Sequence, residues 1–180
     1  KFADANDEMG AIVDEKLKAN NDYDFVILQE QSTTPVDNYN AFNAGVTGLV
    51  KKVNETQQDC EVILYATWGF PSGVVAGSKF SSVSEMEQLI RDAYIKCGDE
   101  NNLRVNHVGE AFTYVYENHK EIALYGSDDK HQSYAGAYLS ACVHVASLFN
   151  VDVRTSNFNG RLDETTANTL KEVAYNIVFN

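Results

Sequence analysis

The residues with the most chemical potential in this chain lie in one stretch, LYGSDDKHQSYAGAYLSA, residues 124–141, where Asp128 precedes His131 by three positions. A neutral imidazole takes a proton from a hydroxyl nucleophile when its other ring nitrogen is held by an acceptor. An aspartate three residues earlier, on one turn of irregular chain, can fold back and be that acceptor. Ser133 and Tyr134 then start a helix, which would fix the loop. The spacing also fits a solvated SDDK loop with a surface histidine, because D-x-x-H is a short pattern. A base and its orienting acid need a nucleophile, and none stands beside them.

Other candidates are fewer. Ser32 follows the first apolar run, and a serine at a strand end beside a histidine can act as a nucleophile. Trp68 and Phe70 close a second apolar run, where they either line a pocket for a sugar or acyl group or simply pack in the core. His107, His119 and His144 have no metal partners at coordinating spacing, and Cys60, Cys97 and Cys142 show no metal-like pattern. The acidic residues are scattered, without the spacing of a calcium loop. No metal and no organic cofactor is therefore expected. One disulfide among the three cysteines is compatible with the sequence. Asn54-Glu55-Thr56 is a formal glycosylation sequon.

The elements that must position these residues suit one α/β domain. The chain has 180 residues, 44% hydrophobic and 22% charged, the make-up of a globular domain with a sizeable core. Its net charge of −12 argues against a nucleic-acid partner, and no apolar run reaches the length of a bilayer span. Helical spacing of Met9, Ile12, Val13 and Leu17 predicts a helix over 5–20. YDFVILQ, residues 23–29, reads as a strand buried on both faces, and EVILYATW, residues 61–68, as a second. Residues 39–57 are helical, with Phe42, Val46, Leu49, Val50 and Val53 on one side. Residues 69–82 read as a loop. Ser84 with Glu87 forms a capping-box pattern opening a helix to about Cys97, with Met86, Leu89, Ile90 and Ala93 inward. LRVNHVG, residues 103–109, is a weaker strand, followed by helices over 110–119, 134–149 and 163–178.

Strands separated by helices predict a parallel sheet with helices on both faces, and a site at the carboxyl ends of the strands. Three strands are few for this length. The first is apolar throughout and reads as central, which leaves the sheet short of cover unless one or two strands precede Lys1.

DDKHQSYAGAYLSACVHVASLF resembles the last conserved block of the SGNH (GDSL-like) hydrolases, in which the aspartate and histidine complete a Ser-Asp-His triad ahead of a G-x-Y-L-x-A helix. Asp128, His131, Gly136, Tyr138, Leu139 and Ala141 match; Gln132 replaces the proline common after the histidine. YDFVILQEQST is similar to the strand leading to the third block, with Gln29 and Gln31 where many members carry an asparagine that donates to the oxyanion. Alternation points both glutamines to one side, and Gln31 is the preferred donor; the alternative is that both satisfy strand-end backbone groups. ILYATWGFP and HVGEAF resemble the fourth and fifth strands. The likeness spans residues 8 to 178 and is nearest to a mostly bacterial branch of unassigned activity.

The resemblance implies a flavodoxin-like, three-layer α/β/α fold and ester hydrolysis through an acyl-enzyme. Acylated carbohydrates or small-molecule esters are the implied substrates, with carbohydrate O-deacetylation a family-level expectation. It places the serine, in a GDS- or GNS-type block, before the strand that matches residues 23–29. No such block occurs in the chain. Residues 1–180 then read as one SGNH-like domain lacking its N-terminal segment, inactive alone. A separate N-terminal fragment of the same protein is a candidate partner. Secretion or a periplasmic location fits a carbohydrate esterase by family habit. The rival reading is a non-catalytic SGNH-like module that binds a glycan or a protein.

Overall fold

The computed structural model describes residues 1–20 and 22–180. It divides into two compact units, Lys1–Tyr65 with Asp92–Val105, and Ala66–Arg91 with Asn106–Asn180.

The first unit carries the sheet. Strands β1 (Phe25–Leu28), β2 (Glu61–Tyr65) and β3 (Arg104–Asn106) lie in the order β1-β2-β3. β1 is parallel to β2, with Phe25 opposite Glu61 and Leu28 opposite Leu64. The central strand is therefore β2, whose Val62, Ile63 and Leu64 are buried, and not β1. β1 is an edge, and its Ile27 is 40% exposed. A continuous apolar run registers two buried faces but says nothing about which edges have neighbours.

Helix α1 (Glu8–Ala19) is capped by Asp7, whose side chain accepts the Met9 N–H. It buries Leu17 against Val53 and Val62, while Met9 and Ile12 face outward, against the inward face expected for them. A short helix α2 (Thr34–Asp37) follows β1, with Pro35 in its first turn fixing φ for helix entry. Helix α3 (Tyr39–Thr56) buries Phe42, Val46 and Val53.

The chain crosses between units within helix α4 (Val83–Asn101), which runs four residues beyond the expected end. Its start is also displaced. Ser82 Oγ accepts the Glu85 N–H at 3.0 Å, and Glu85 accepts the Ser81 N–H at 2.6 Å, so the capping pair is Ser82 with Glu85 rather than Ser84 with Glu87. Burial of Val83, Met86 and Ile90 on one face sets this register and leaves Leu89 40% exposed.

The second unit is otherwise helical: α5 (Val108–Asn118), α6 (Tyr134–Phe149) and α7 (Glu164–Phe179). Phe112, Val115, Leu139, Val143, Ala167 and Leu170 form its buried interior. Lys171 is buried too, its ammonium donating to Ser156 O, Asn159 Oδ1 and Asn168 Oδ1.

All three cysteines are free thiols, so no disulfide forms. Burial pushes Cys97 and Cys142 up to about 11. Among the described residues no helix is long and apolar enough to cross a membrane.

Candidate catalytic dyad

The loop 126–133 is closed at its base by backbone. Tyr125 and Gln132 form an isolated antiparallel bridge, and Gly126 N donates to His131 O at 2.7 Å. Ser133 then caps α6: its Oγ accepts the Gly136 N–H, its own N–H donates to Leu124 O at 2.8 Å, and its hydroxyl donates to Ala123 O at 2.6 Å. Gly136 is required here by space. A Cβ on it would lie 2.4 Å from Leu124 O and 2.9 Å from Phe112 Cζ. The helix start thus presses onto the segment that precedes the loop.

Within the loop Asp128 does two jobs. Its Oδ1 accepts the N–H groups of Lys130 at 3.1 Å and His131 at 3.0 Å. Its Oδ2 meets His131 Nδ1 at 2.5 Å. The bond to His131 is the main reason the carboxyl is held down to about 2, with the backbone donors adding to it. An ionised Asp128 is an acceptor, so Nδ1 carries the proton of a neutral ring and Nε2 presents its lone pair outward. The His131 side chain is 78% exposed, and among the described residues Nε2 has no hydrogen bond.

The loop is tethered from residues 68–72. Trp68 Nε1 donates to Lys130 O at 3.0 Å; Ser72 donates through both N and Oγ to Asp129 O, each at 3.1 Å. Trp68 is half-buried and stacks on Phe112, with ring centres 4.2 Å apart and planes 8° from parallel. Tyr125 Oη donates to Gly69 O at 2.7 Å. Gly69 admits no side chain, since a Cβ would lie 2.3 Å from Val83 O. Trp68 is therefore brought to the dyad loop through its indole N–H. The tethers of Ser72 and Tyr125 carry no local sequence signal.

Gln29, Gln31 and Ser32 belong to the first unit. β1 ends at Leu28, so strand alternation does not govern the two glutamines. Tyr94 Oη accepts the Glu30 N–H at 2.9 Å and fixes the strand end. Gln29 spends its amide N–H on Glu30 O at 2.7 Å. Gln31 Oε1 accepts from Thr34 Oγ1 at 3.1 Å, and among the described residues its Nε2 donates to nothing. Ser32 sits at φ 27°, in the positive region that disfavours side chains, and among the described residues its Oγ makes no hydrogen bond.

The remaining histidines are held locally. His144 Nδ1 lies 2.6 Å from Asn106 Nδ2, His119 faces Glu121 at 3.5 Å, and His107 faces Glu110 at 3.9 Å. Among the described residues no three His, Cys, Asp or Glu side chains are grouped to hold a metal ion.

No protein-family model matches the chain, and no curated protein matches it. Solved structures similar to it include a DUF4886 family protein from Bacteroides uniformis, 17% identical over 93% of this chain, with a TM-score of 0.79. This chain spans 66% of that protein's length. Another, from Slackia heliotrinireducens and provisionally described as an SGNH hydrolase, is 24% identical, with a TM-score of 0.62. That likeness covers 78% of this chain and 73% of the other. Identities this low carry fold and not activity. The chain has an SGNH-like α/β fold, a three-stranded parallel sheet flanked by helices.

Proposed function

We propose that this chain supplies the base, its orienting acid and an oxyanion donor of an SGNH-type serine ester hydrolase. The observation that carries the reading is the 2.5 Å contact of Asp128 Oδ2 with His131 Nδ1, which leaves Nε2 bare and exposed. In the proposed reaction a serine hydroxyl attacks the ester carbonyl carbon while His131 Nε2 takes its proton. Gln31 Nε2 is the proposed oxyanion donor, because among the described residues it donates to nothing, whereas one N–H of Gln29 goes to Glu30 O. Collapse expels the alcohol, which leaves with the proton from Nε2. Water repeats the sequence on the acyl-enzyme and releases the acid. Trp68, whose indole N–H holds the dyad loop, is the proposed pocket residue of its unit, and acylated carbohydrates, acetylated ones first, are the proposed substrates.

The serine is proposed to come from a segment upstream of Lys1. Support comes from the edge strand β1, whose exposed Ile27 borders an apolar groove of about 280 Å³ walled by Val13, Leu17, Val26 and Leu28. A further parallel strand beside β1 would cover it. Ser32 is the weaker candidate: its backbone sits at φ 27°, and among the described residues its Oγ makes no hydrogen bond.

The test is a fluorophosphonate label on the whole protein, mapped by mass spectrometry alongside hydrolysis of an acetyl ester. Labelling of an upstream serine, lost in His131→Ala, is the expected result. A label on Ser32 would relocate the nucleophile. No label and no hydrolysis would leave a binding module for a glycan or a protein.

A further inference from the structure

A second cavity lies in the helical unit, and the dyad does not line it. It has a volume of about 530 Å³ and is built from the end of α5 and the segment that follows. Volumes of this size hold small molecules, which bury most of their surface against apolar walls. The floor is Ile122 and Leu124, 9% and 2% exposed. Two tyrosine rings make a corner: Tyr116 and Tyr125 meet edge to face, centres 5.9 Å apart and planes at 78°. Tyr125 is fixed by its bond to Gly69 O, whereas Tyr116 is 38% exposed and offers its ring to the opening.

The rim carries two charges. Glu117 accepts a hydrogen bond from Ser84 Oγ at the start of α4, which occupies one of its carboxylate oxygens. Lys120 is exposed, and among the described residues its ammonium meets no acid and no carbonyl. Lys120 thus leaves a cation available beside the apolar corner. We infer that this cavity binds a small amphipathic carboxylate, an aryl or alkyl group seated on Ile122, Leu124 and the tyrosine corner, with its carboxylate on Lys120. The argument is one of complementarity: apolar walls take the body, and the free ammonium takes the only charge such a ligand has. The inference does not depend on the hydrolase reading, because neither Asp128 nor His131 borders the cavity.

The probe is 4-phenylbutyrate, with its neutral amide as control, followed by methyl and amide NMR shifts. Saturable shifts confined to Ile122, Ala123 and Leu124 are expected. Lys120→Gln should weaken binding about fivefold, the scale of a solvent-exposed charge contact, and bring acid and amide to equal affinity. Ala123→Trp, an exposed position on the wall, should fill the cavity and abolish the shifts with the fold intact. His131→Ala should change nothing here. Absence of saturation in the millimolar range, or equal binding of acid and amide by the unaltered protein, would overturn the inference. So would shifts that survive Ala123→Trp.

Discussion

Asp128 Oδ2 and His131 Nδ1 stand 2.5 Å apart, while Asp128 Oδ1 accepts the backbone N–H groups of Lys130 and His131. One carboxylate thus shapes the turn and holds the ring. The first consequence is a titration. The carboxyl carbon of Asp128 should titrate near 2, below its ordinary 3.8. Its folded value is depressed, so this contribution to stability is full above 3.8 and is lost as pH falls towards 2. In His131→Gln the midpoint should climb towards the ordinary value. A midpoint unmoved by that change would mean the backbone donors alone set it.

Asp128→Asn separates the two roles. The amide oxygen still accepts the two backbone N–H groups, so the loop should keep its shape. The other position now offers an N–H to a ring nitrogen that carried one, which forces the wrong tautomer. On the proposed reading, ester hydrolysis should fall about 10⁴-fold with little change in melting temperature. A loss below tenfold would remove Asp128 from the catalytic reading.

Trp68→Phe retains a ring to stack on Phe112 and deletes the donor to Lys130 O. The expected loss is about 0.5–1.5 kcal/mol, the net worth of one hydrogen bond. Hydrogen exchange of the amides in 126–131 should quicken while that of α6 stays put. Uniform quickening across the second unit would show that the indole matters as packing rather than as a tether.

The contrast between the dyad and its tethers explains what could be read from sequence. Asp128, His131 and the Ser133 cap lie within one short segment, where local geometry follows from residue type, and α6 runs over the residues expected of it. The Trp68–Lys130 and Ser72–Asp129 bonds join positions 62 and 57 apart. Each is a side chain meeting a backbone carbonyl, for which the accepting residue's identity is irrelevant and leaves no mark. The edge position of β1 is hidden from the sequence for a related reason. Apolarity records burial of faces, whereas the central position belongs to hydrogen-bonded edges, which any sequence can supply. The start of α4 was displaced because two Ser–Glu pairs overlap, and burial of Val83 and Met86 decided between them.

Two glycines should respond oppositely to alanine. At Gly136 the new Cβ meets a backbone carbonyl at 2.4 Å and the Phe112 ring at 2.9 Å. Overpacking of this kind costs about 1–3 kcal/mol and outweighs the gain in helix propensity. At Gly45, inside α3, a Cβ meets nothing within 4 Å. Gly45→Ala should stabilise by up to about 1 kcal/mol. Chemical denaturation of both variants checks the pair, and a destabilised Gly45→Ala would contradict the open space beside α3.

His144 should contribute to acid sensitivity. Burial lowers its affinity for a proton, as it does for His107. The 2.6 Å contact with Asn106 Nδ2 makes Nδ1 an acceptor, which selects the neutral ring protonated at Nε2. The folded protein then binds fewer protons than the unfolded chain below the ordinary value of 6.5. Stability is full above 6.5 and declines as pH drops through the depressed folded value. Melting temperature should therefore fall between pH 7.5 and pH 5, and in His144→Gln, which cannot gain that proton, the fall should shrink. Nitrogen-15 shifts should show neutral His144 as the Nε2–H tautomer, with its protonation displaced below the ordinary 6.5. An unchanged pH slope in His144→Gln would place the acid sensitivity elsewhere.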